Sequence, residues 1–414
     1  MGLIYNKILP FLEDEQWELH FAGPSPRLAS VLTENVNCPQ WRLHYTENIS
    51  WSLRFSVLKN RQERQSLLYY AYGSLQAVSI AVEKLVKHDR HAYLMAGIEK
   101  IILAADAKWN YELIGGKSPD FAMLDSVATI ASSMNKPLLA MIIDPHGKRE
   151  GQHFFPYDVD RQKQVLDQCC GAMFMSPMTR DRYVECGLLA DYKAFSFTEC
   201  YPTSQHLYQN GKSVLKPVAN ASGDLVHQRV LRCVHLGMLP EWRPIEPLFE
   251  ALLRHPISLQ IDFYGYVYPE ARNAILSNSV LRNCMRCWRP VLHEQSHYIA
   301  QDCDVLLVVI GPRHLDNQPS KFFEYLGHSK PLIVLGPRGN PIEIILNRLE
   351  IGIYCDILDC DSIAKGIEEI SLHFAKYKQA FKTHSAVIEN YSDRNAAKHW
   401  SNCLKSILEN ASVN

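Results

Sequence analysis

Residues 305–335 read VLLVVIGPRHLDNQPSKFFEYLGHSKPLIVL and decide the predicted fold. Two apolar runs of strand length, 305–310 and 332–335, flank a segment with the pattern of a helix, 320–327. Two strands that are joined by a helix run in the same direction when they belong to one sheet. This stretch therefore predicts a parallel sheet with helices packed against it, which is an α/β fold.

The same alternation of strands and helices extends through the rest of the chain. In the second half it predicts strands at 231–236 and 259–264 and helices at 245–253, 294–302 and 342–348. In the first half it predicts strands at 19–22, 121–124, 138–143 and 172–175 and helices at 54–86, 126–135 and 161–169. Short apolar runs bounded by Gly or Pro are typical of buried strands, and helical spacing between them indicates crossover helices. The sequence thus predicts two α/β domains in series.

The domain boundaries follow from where this pattern fades. Residues 206–228 are rich in polar and turn-forming residues, and they predict a linker. The first domain is then expected to comprise residues 1–205 and the second residues 229–385. In the last segment, 386–414, an apolar helical stripe behind Ser392 predicts a C-terminal helix.

The charge balance excludes one class of partner. The chain has 414 residues, with 43 Lys and Arg against 44 Asp and Glu. Because basic and acidic side chains are nearly equal in number, the chain has no overall positive field, and no nucleic-acid partner is expected. Residues 51–110 carry nine basic and five acidic side chains, a bias that a solvated face explains and that leaves peripheral membrane association open.

Cysteine usage and the first residues indicate the compartment. The twelve cysteines follow no regular spacing, and several lie in apolar runs, which is typical of reduced, buried thiols. The first residues lack the basic region and the apolar core of a signal peptide. A cytoplasmic protein is therefore expected.

The turns after the predicted strands of the second half carry residues suited to an anionic ligand. Glycines let backbone N–H groups approach a phosphate, helix N-termini add a partial positive charge, and Arg or Lys neutralises the remainder. Ligands of doubly wound folds bind at the carboxyl ends of the strands, so these turns predict a phosphate site. The residues concerned are Gly237, Arg243, Gly265, Arg289, Ser320 and Lys321.

Three segments resemble the carboxyl domain of nucleotide-sugar glycosyltransferases of the GT-B fold, of the family 4-like type. They are VHLGML at 234–239, IDFYG at 261–265 and, most specifically, PSKFFEYLGHSKPLIV at 319–334. The resemblance continues with lower specificity through the first half of the chain. It implies two Rossmann-like domains that face each other across a cleft, with the donor held mainly by the second. It also implies a C-terminal helix that crosses back to the first domain.

The resemblance further implies roles for individual residues. Glu324 corresponds to the acid that binds the ribose hydroxyls of the donor. Asp316, eight positions earlier, corresponds to the acid that approaches the donor sugar, where the family more often has Glu. Arg243 corresponds to the basic residue that contacts the pyrophosphate. Position 238 is Met where many relatives have a basic residue, so phosphate neutralisation is assigned to Arg243 together with Lys321 and Arg289.

The first domain supplies the remaining candidates. His146 and Asp144 follow the predicted strand 138–143, where a His or an Asp acts on the acceptor hydroxyl or stabilises charge as the donor bond breaks. Relatives begin with a β-strand, whereas residues 3–13 of this chain predict a helix. The first strand of the N-terminal domain is therefore expected to be missing.

The predicted function is transfer of a sugar from a nucleotide-sugar donor to a hydroxyl acceptor of glycan or glycolipid type, as in polysaccharide biosynthesis. The resemblance implies no cofactor and no obligatory metal. Two alternatives stay open: a sugar-nucleotide epimerase of the same architecture, and a catalytically silent subunit that binds a glycan or a nucleotide. Transfer or hydrolysis of a bound donor separates an enzyme from a binding protein.

Other sites are disfavoured by spacing. Cys284 and Cys287, followed by His293 and His297, resemble metal ligands on paper. The segment is shorter than a zinc finger requires, and two cysteines at this spacing on a strand would face opposite sides. The chain has no Walker-type loop, nucleophile elbow or GxGxxG fingerprint, which disfavours ATPase, hydrolase and dehydrogenase functions.

Overall fold

The described residues of the chain, taken from a computed structural model, are 11–12, 17–18, 20–24, 42–46, 74–75, 78, 90–117, 121–142, 156–197, 199–203, 230–255 and 259–413. The chain divides into two compact units. The first consists of Met1–Lys148, His153–Phe197 and Ala397–Asn414, and the second of Arg149–Gln152 and Thr198–Ala396.

The sheets of the first unit are parallel. Strand β1 (His20–Pro24) pairs with β2 (Arg42–Thr46). A four-stranded sheet has the order β3-β4-β5-β6, and each pair of neighbours runs in the same direction. Its strands are β3 (Ile114–Lys117), β4 (Leu138–Ile142), β5 (Gly171–Phe174) and β6 (Ala194–Ser196). The helices are α1 (Arg90–Trp109), α2 (Phe121–Ser133), α3 (Pro156–Asp167) and α4 (Pro177–Glu185). The predicted strands 19–22, 138–143 and 172–175 are thereby confirmed, as are the helices predicted at 126–135 and 161–169, although both helices begin earlier.

The strand predicted at residues 121–124 is wrong. These residues form the first turn of α2, and the strand before it is β3. An apolar run of four residues does not distinguish a strand from a buried helical turn. The sequence pattern does not indicate strand β3, because two of its four residues are Gly115 and Gly116. A Cβ at Gly116 would lie 2.8 Å from Cδ1 of Leu124, so this glycine lets α2 pack against the strand.

The second unit contains a six-stranded sheet with the order β12-β11-β10-β7-β8-β9, all parallel. Its strands are β7 (Leu231–Leu236), β8 (Leu259–Tyr264), β9 (Met285–Trp288), β10 (Val305–Val309), β11 (Leu332–Gly336) and β12 (Gly352–Asp356). The helices are α5 (Glu246–Arg254), α6 (Pro269–Ser277), α7 (Ser279–Cys284), α8 (His293–Asp302), α9 (Ser320–Leu326), α10 (Pro341–Leu349), α11 (Cys360–Leu372), α12 (Phe374–Thr383) and α13 (Ser385–Ile388). This is the strand order of a dinucleotide-type doubly wound fold, so the predicted α/β class is confirmed.

Strand β7 illustrates why the predictions in this unit are accurate. Leu231 and Cys233 lie in the apolar core on one face of the sheet, whereas Val234 and Leu236 lie in the core on the other. A strand that is buried on both faces reads as an almost continuous apolar run. The strands predicted at 231–236 and 259–264 are confirmed in both bounds, and those at 305–310 and 332–335 to within one residue. The four helices predicted in this half are confirmed to within one residue at each end.

A short segment ahead of the predicted linker belongs to the second unit, although the predicted first domain extends to residue 205. The Tyr201 N–H donates to the Tyr391 carbonyl (3.0 Å), and the Asp393 N–H donates to the Tyr201 carbonyl (2.9 Å). The Asp393 carboxylate also accepts a hydrogen bond from the Thr203 N–H at 2.9 Å. These bonds fix residues 199–203 to Tyr391 and to Asp393, the first residue of the last helix.

The last helix, α14 (Asp393–Val413), belongs to the first unit from residue 397 onward. The ring of Trp400 meets that of Phe197 edge-on at 5.1 Å. The Nε2 atom of His399 lies 2.8 Å from the Ser196 carbonyl, at the end of β6. Further along the helix, a Cβ at Gly171 would lie 2.6 Å from Cγ1 of Ile407. The helix thus packs closely against the four-stranded sheet.

Some predictions fall on residues that are not described. They are the linker at 206–228, the missing first strand, most of the helix at 3–13, of which residues 11–12 are helical, and most of the helix at 54–86, of which residues 74–75 and 78 are helical. Within the described ranges, none of the helices is both long and apolar enough to span a membrane.

The packing of α14 yields a stability prediction. Gly171→Ala places a methyl group against Ile407 on a rigid helix, so we expect a loss of roughly 1–3 kcal/mol of unfolding free energy from overpacking. Gly115→Ala on β3 is the matched control, since its Cβ would make an ordinary contact of 3.6 Å with Met141. Urea unfolding monitored by circular dichroism measures both variants. Equal midpoints for the two variants would contradict the close packing of α14.

Candidate functional site

The carboxyl ends of β7 and β10 mark the candidate site. These strands are neighbours in the sheet, and the strand order reverses between them. At such a point the two connections leave toward opposite faces of the sheet, and a crevice opens between them where ligands of doubly wound folds bind. The turn that begins at Gly237 and the loop of residues 310–319 leave the sheet here.

Two glycines allow the turns after β7 and β8 to pass close to each other. Gly237 has a φ of +132° and Gly265 a φ of +140°, which L side chains rarely adopt. A Cβ at Gly265 would lie 2.0 Å from the Gly237 carbonyl oxygen. The Gly237 N–H donates to the Tyr264 carbonyl at 2.9 Å, so it extends the sheet. The glycines therefore shape the edge of the site, and their assignment to the phosphate stays a prediction.

Arg243 is a half-buried cation with an open donor. Its guanidinium lies over the Trp242 ring, 4.6 Å from the centroid, and Nη1 donates to the Met238 carbonyl at 3.3 Å. Nε is buried and has no hydrogen-bond partner among the described residues, where Arg243 also forms no ion pair. Burial lowers the pKa of this guanidinium from its ordinary value. A stacked arginine without an anion is prepared to receive one.

The loop after β10 packs against Trp242, the residue on which Arg243 stacks. The ring of His314 lies 4.7 Å from that of Trp242. A Cβ at Gly311 would lie 2.4 Å from the Trp242 carbonyl oxygen, so the two segments touch through their backbones. Asp316, in the same loop, is 5% exposed. The sequence-predicted residues Arg243 and Asp316 therefore belong to two connections that are packed together.

Helix α9 carries the most specific part of the predicted site. Nζ of Lys321 lies 2.7 Å from Oε2 of Glu324, and the Glu324 side chain is only 4% exposed. The helix dipole favours acidic residues in the first turn, but Glu324 is the fifth residue of the helix. The dipole therefore does not explain an acid at this position. Ser320 opens the helix. A buried carboxylate is costly unless it is paired, and Lys321 provides the pairing charge.

His235 joins the site although sequence reasoning missed it. It is the last residue but one of β7 and is 4% exposed. Nδ1 lies 3.0 Å from the Leu307 carbonyl, which only accepts, so Nδ1 carries the proton. Nε2 has no partner among the described residues. Burial, together with the charges of Arg243 and Lys321, lowers the pKa of His235 to about 4. A histidine near the end of an apolar strand was the signal available in the sequence.

A histidine cluster lies next to Glu324 and Lys321. Nδ1 of His297 lies 3.2 Å from Nε2 of His328, and its Nε2 lies 3.2 Å from Nε2 of His293. Burial lowers the pKa of His297 to about 3 and that of His328 to about 4, while the Glu324 charge raises both. His297 and His328 are therefore neutral near pH 7.

The metal set that the sequence suggested on paper is not assembled. Cys284 ends helix α7 and Cys287 lies in β9, so the expectation that both lie on one strand is wrong. Within the described part of the chain, no group of three His, Cys, Asp or Glu side chains is arranged to hold a metal ion.

The remaining predicted site residues are Arg289, Asp144 and His146. Arg289 is exposed and follows β9, the edge strand on the far side of β8. Asp144 and His146 lie outside the described residues. Their proposed roles stay predictions.

Comparisons with known proteins place this arrangement in a fold family. No protein-family model matches the sequence, and no curated protein is similar to it in sequence. Among solved structures, HepE of Anabaena, in complex with UDP and glucose, is 14% identical with a TM-score of 0.54 over 76% of this chain and 81% of its own. A glycosyltransferase of Rickettsia africae is 14% identical with a TM-score of 0.58, covering 78% and 83%. Sucrose-phosphate synthase of Thermosynechococcus elongatus is 13% identical with a TM-score of 0.53, covering 99% and 90%. The chain has the GT-B fold.

The buried histidines yield a pH prediction. Below a pH of about 6.5 the unfolded chain binds protons that the folded site refuses, so the free energy of unfolding falls as the pH falls from about 6.5 to about 4. His235→Gln keeps a polar side chain at this position but does not titrate. Urea unfolding at pH 7 and pH 4.5 measures how much unfolding free energy is lost between the two pH values. We expect this loss to be roughly 1–3 kcal/mol smaller in the variant than in the wild type.

The control for this measurement is His255→Gln, which changes an exposed histidine at the end of α5. It should keep the slope of the wild type. If His235→Gln also keeps that slope, burial of a neutral His235 is refuted.

Proposed function

We propose that this chain is a glycosyltransferase that moves a sugar from a nucleotide-sugar donor to a hydroxyl acceptor of glycan or glycolipid type. The observation that carries the proposal is the buried Glu324, paired with Lys321 and located at the edge of the sheet where Arg243 has no ion pair among the described residues. One acid and two bases match the chemistry of a nucleoside diphosphate, which presents a neutral diol and a negatively charged diphosphate.

Glu324 suits the diol. A carboxylate only accepts hydrogen bonds, and the two ribose hydroxyls donate. The 2.7 Å bond from Lys321 uses one carboxylate oxygen and fixes the side chain. Charge-assisted hydrogen bonds of this kind are roughly twice as strong as neutral ones. Glu324 would therefore fix the nucleoside, and with it the direction in which the diphosphate leaves the ribose.

Arg243 and Lys321 suit the diphosphate. When the bond between the sugar and the diphosphate breaks, negative charge grows on the departing oxygen, and preorganised cations in a site poor in water stabilise it. The free Nε of Arg243 offers a donor without breaking an existing ion pair. Asp316 is proposed to approach the donor sugar, and Asp144 or His146 to act on the acceptor hydroxyl. No cofactor and no metal is part of this proposal.

The relatives in fold support the choice of nucleotide. HepE was solved with UDP and with UDP-glucose. We therefore take uridine nucleotides as the first donors to test on this chain, followed by guanosine and adenosine nucleotide sugars.

The test is incubation of the protein with UDP-glucose, UDP-N-acetylglucosamine, GDP-mannose and ADP-glucose, with and without lipid-linked or free glycan acceptors. Release of nucleoside diphosphate together with a glycosylated acceptor, or slow donor hydrolysis without one, supports a transferase. Conversion of the sugar without release of nucleotide supports the epimerase alternative. Binding without any conversion supports the silent subunit. Absence of binding to every nucleotide sugar contradicts the proposal.

Glu324→Gln tests the ribose assignment. The amide keeps the shape but loses the charge-assisted acceptor, so we expect a loss of roughly 1.5–3 kcal/mol of donor affinity in calorimetry. Lys321 is 30% exposed, so it can reach solvent when its partner is neutral, and the fold should survive.

The control is Glu369→Gln in α11, whose carboxylate accepts a hydrogen bond from the Tyr377 hydroxyl at 3.1 Å. It should bind donor as the wild type does. Donor affinity at the wild-type level in a folded Glu324→Gln protein would refute the role of Glu324.

Arg243→Ala separates phosphate from nucleoside. We expect it to weaken nucleoside diphosphate roughly tenfold or more while leaving the weaker binding of the nucleoside nearly unchanged, because its partner is the phosphate. Calorimetry with UDP and uridine measures both. An equal loss for the two ligands would show that Arg243 acts by shaping the site rather than by binding phosphate.

A further inference from the structure

Asn340 makes an unusual set of hydrogen bonds to the loop that carries Asp316. Its side chain is fully buried, and Nδ2 lies 3.2 Å from the His314 carbonyl, 2.9 Å from the Leu315 carbonyl and 2.9 Å from the Asn317 carbonyl. Three carbonyl oxygens of one loop therefore converge on one amide nitrogen. The amide comes from a different connection, the turn between β11 and α10.

The loop has little regular structure of its own. Between β10 and α9 its described backbone hydrogen bonds include those from the His314 N–H to Gly311 (2.9 Å) and from the Asn317 N–H to His314 (3.2 Å). Buried carbonyl groups that lack a partner are costly, and a helix or strand is not available here to supply one. The Asn340 amide satisfies the carbonyls on both sides of Asp316, and so it determines the path of the backbone at that residue.

Capping alone does not require an asparagine at this position. Oδ1 of Asn340 accepts from the Ile342 N–H at 2.9 Å and caps α10. Asp359 caps α11 in the same way through Oδ1, with bonds of 2.9 Å and 3.0 Å to two N–H groups. Asp and Ser cap helices as well as Asn does. Only the amide group caps the helix and donates to the loop at once.

We propose that Asn340 is a positioning residue of the donor site: its amide holds residues 314–317 so that Asp316 meets the sugar part of a nucleotide-sugar donor. The inference rests on the proposed function. It means that Asn340, a residue outside the loop, determines how strongly the site prefers a nucleotide sugar to a nucleoside diphosphate. A displaced loop leaves Glu324 on its helix, so the nucleoside still binds while the sugar loses its contact.

The test is the ratio of two affinities, measured by calorimetry for wild type and variants. The probes are the nucleotide sugar that wild type binds most tightly among UDP-glucose, UDP-N-acetylglucosamine, GDP-mannose and ADP-glucose, and the corresponding nucleoside diphosphate. Asn340→Asp keeps the cap of α10 but turns a carboxylate oxygen toward three carbonyl oxygens. We expect the nucleotide sugar to weaken roughly tenfold or more and the diphosphate by about twofold at most.

Two further variants keep the test decisive. Asn340→Ser also keeps a cap and loses the donor without adding charge, and it carries the measurement if Asn340→Asp does not fold. Asn278→Asp is the control, since Asn278 caps α7 through Oδ1 with bonds of 2.9 Å and 3.2 Å and, among the described residues, its amide nitrogen donates to no loop carbonyl. It should leave the ratio unchanged.

A double-mutant cycle separates positioning from general stability. If Asn340 acts through Asp316, adding Asn340→Ser to Asp316→Asn changes the affinity ratio no further. Additive losses in the cycle, or a ratio within about twofold of wild type in folded Asn340→Ser, would overturn the inference while leaving the proposed function intact. Wild type that binds no nucleotide sugar at all would overturn both.

Discussion

The reversal of strand order between β7 and β10 is the constraint on which the rest of the second unit depends. The connections that follow β7 and β10 lie on opposite faces of the sheet. Neither connection therefore fills the gap at the carboxyl ends of these two strands. His235 and Gly237 come to this gap from β7, and Asp316 and Glu324 come to it from the connection after β10. A polar site inside an otherwise apolar sheet is therefore a consequence of topology, and the residues placed there decide what it binds.

Polar groups left without partners at this edge lower the stability of the free protein. Among the described residues, buried atoms without a hydrogen-bond partner include Nε2 of His235, Nε of Arg243 and Oε1 of Gln318. Each such group costs about 1–3 kcal/mol relative to a satisfied one. Violations of local rules that gather in one place are typical of functional sites, where a ligand supplies the missing partners. In the proposed complex, a diphosphate would offer acceptors to Arg243, and sugar hydroxyls would offer donors to Gln318 and His235.

The fold of the second unit could be predicted from the sequence because its central strands are buried on both faces. Runs such as Val305–Val309 are apolar throughout and are bounded by turn residues. The same reasoning failed where the pattern is weak: β3 contains Gly115 and Gly116, and the edge strand β9 reads Met-Arg-Cys-Trp. Apolar runs of four residues are ambiguous between strand and helix, which is why the start of α2 was misassigned.

The site could be predicted only in part. Residues in the turns that follow strands, such as Arg243 and Lys321, are found because the carboxyl ends of parallel strands share one edge. Contacts that depend on tertiary structure leave no local signal: Asn340 meets a loop some 25 residues earlier, and the Trp242 ring on which Arg243 stacks packs against His314. The residue type at 340 is compatible with a plain helix cap, so only the structure shows its second role.

Hydrogen exchange with and without UDP, followed by mass spectrometry on the intact chain, tests most directly whether this edge is a nucleotide site. We predict that UDP slows exchange in two segments, residues 235–243 at the end of β7 and residues 311–326 after β10. The amides of α11 should exchange at their unliganded rates. Unchanged exchange in both segments at a UDP concentration of several millimolar, or protection confined to other elements, would contradict it.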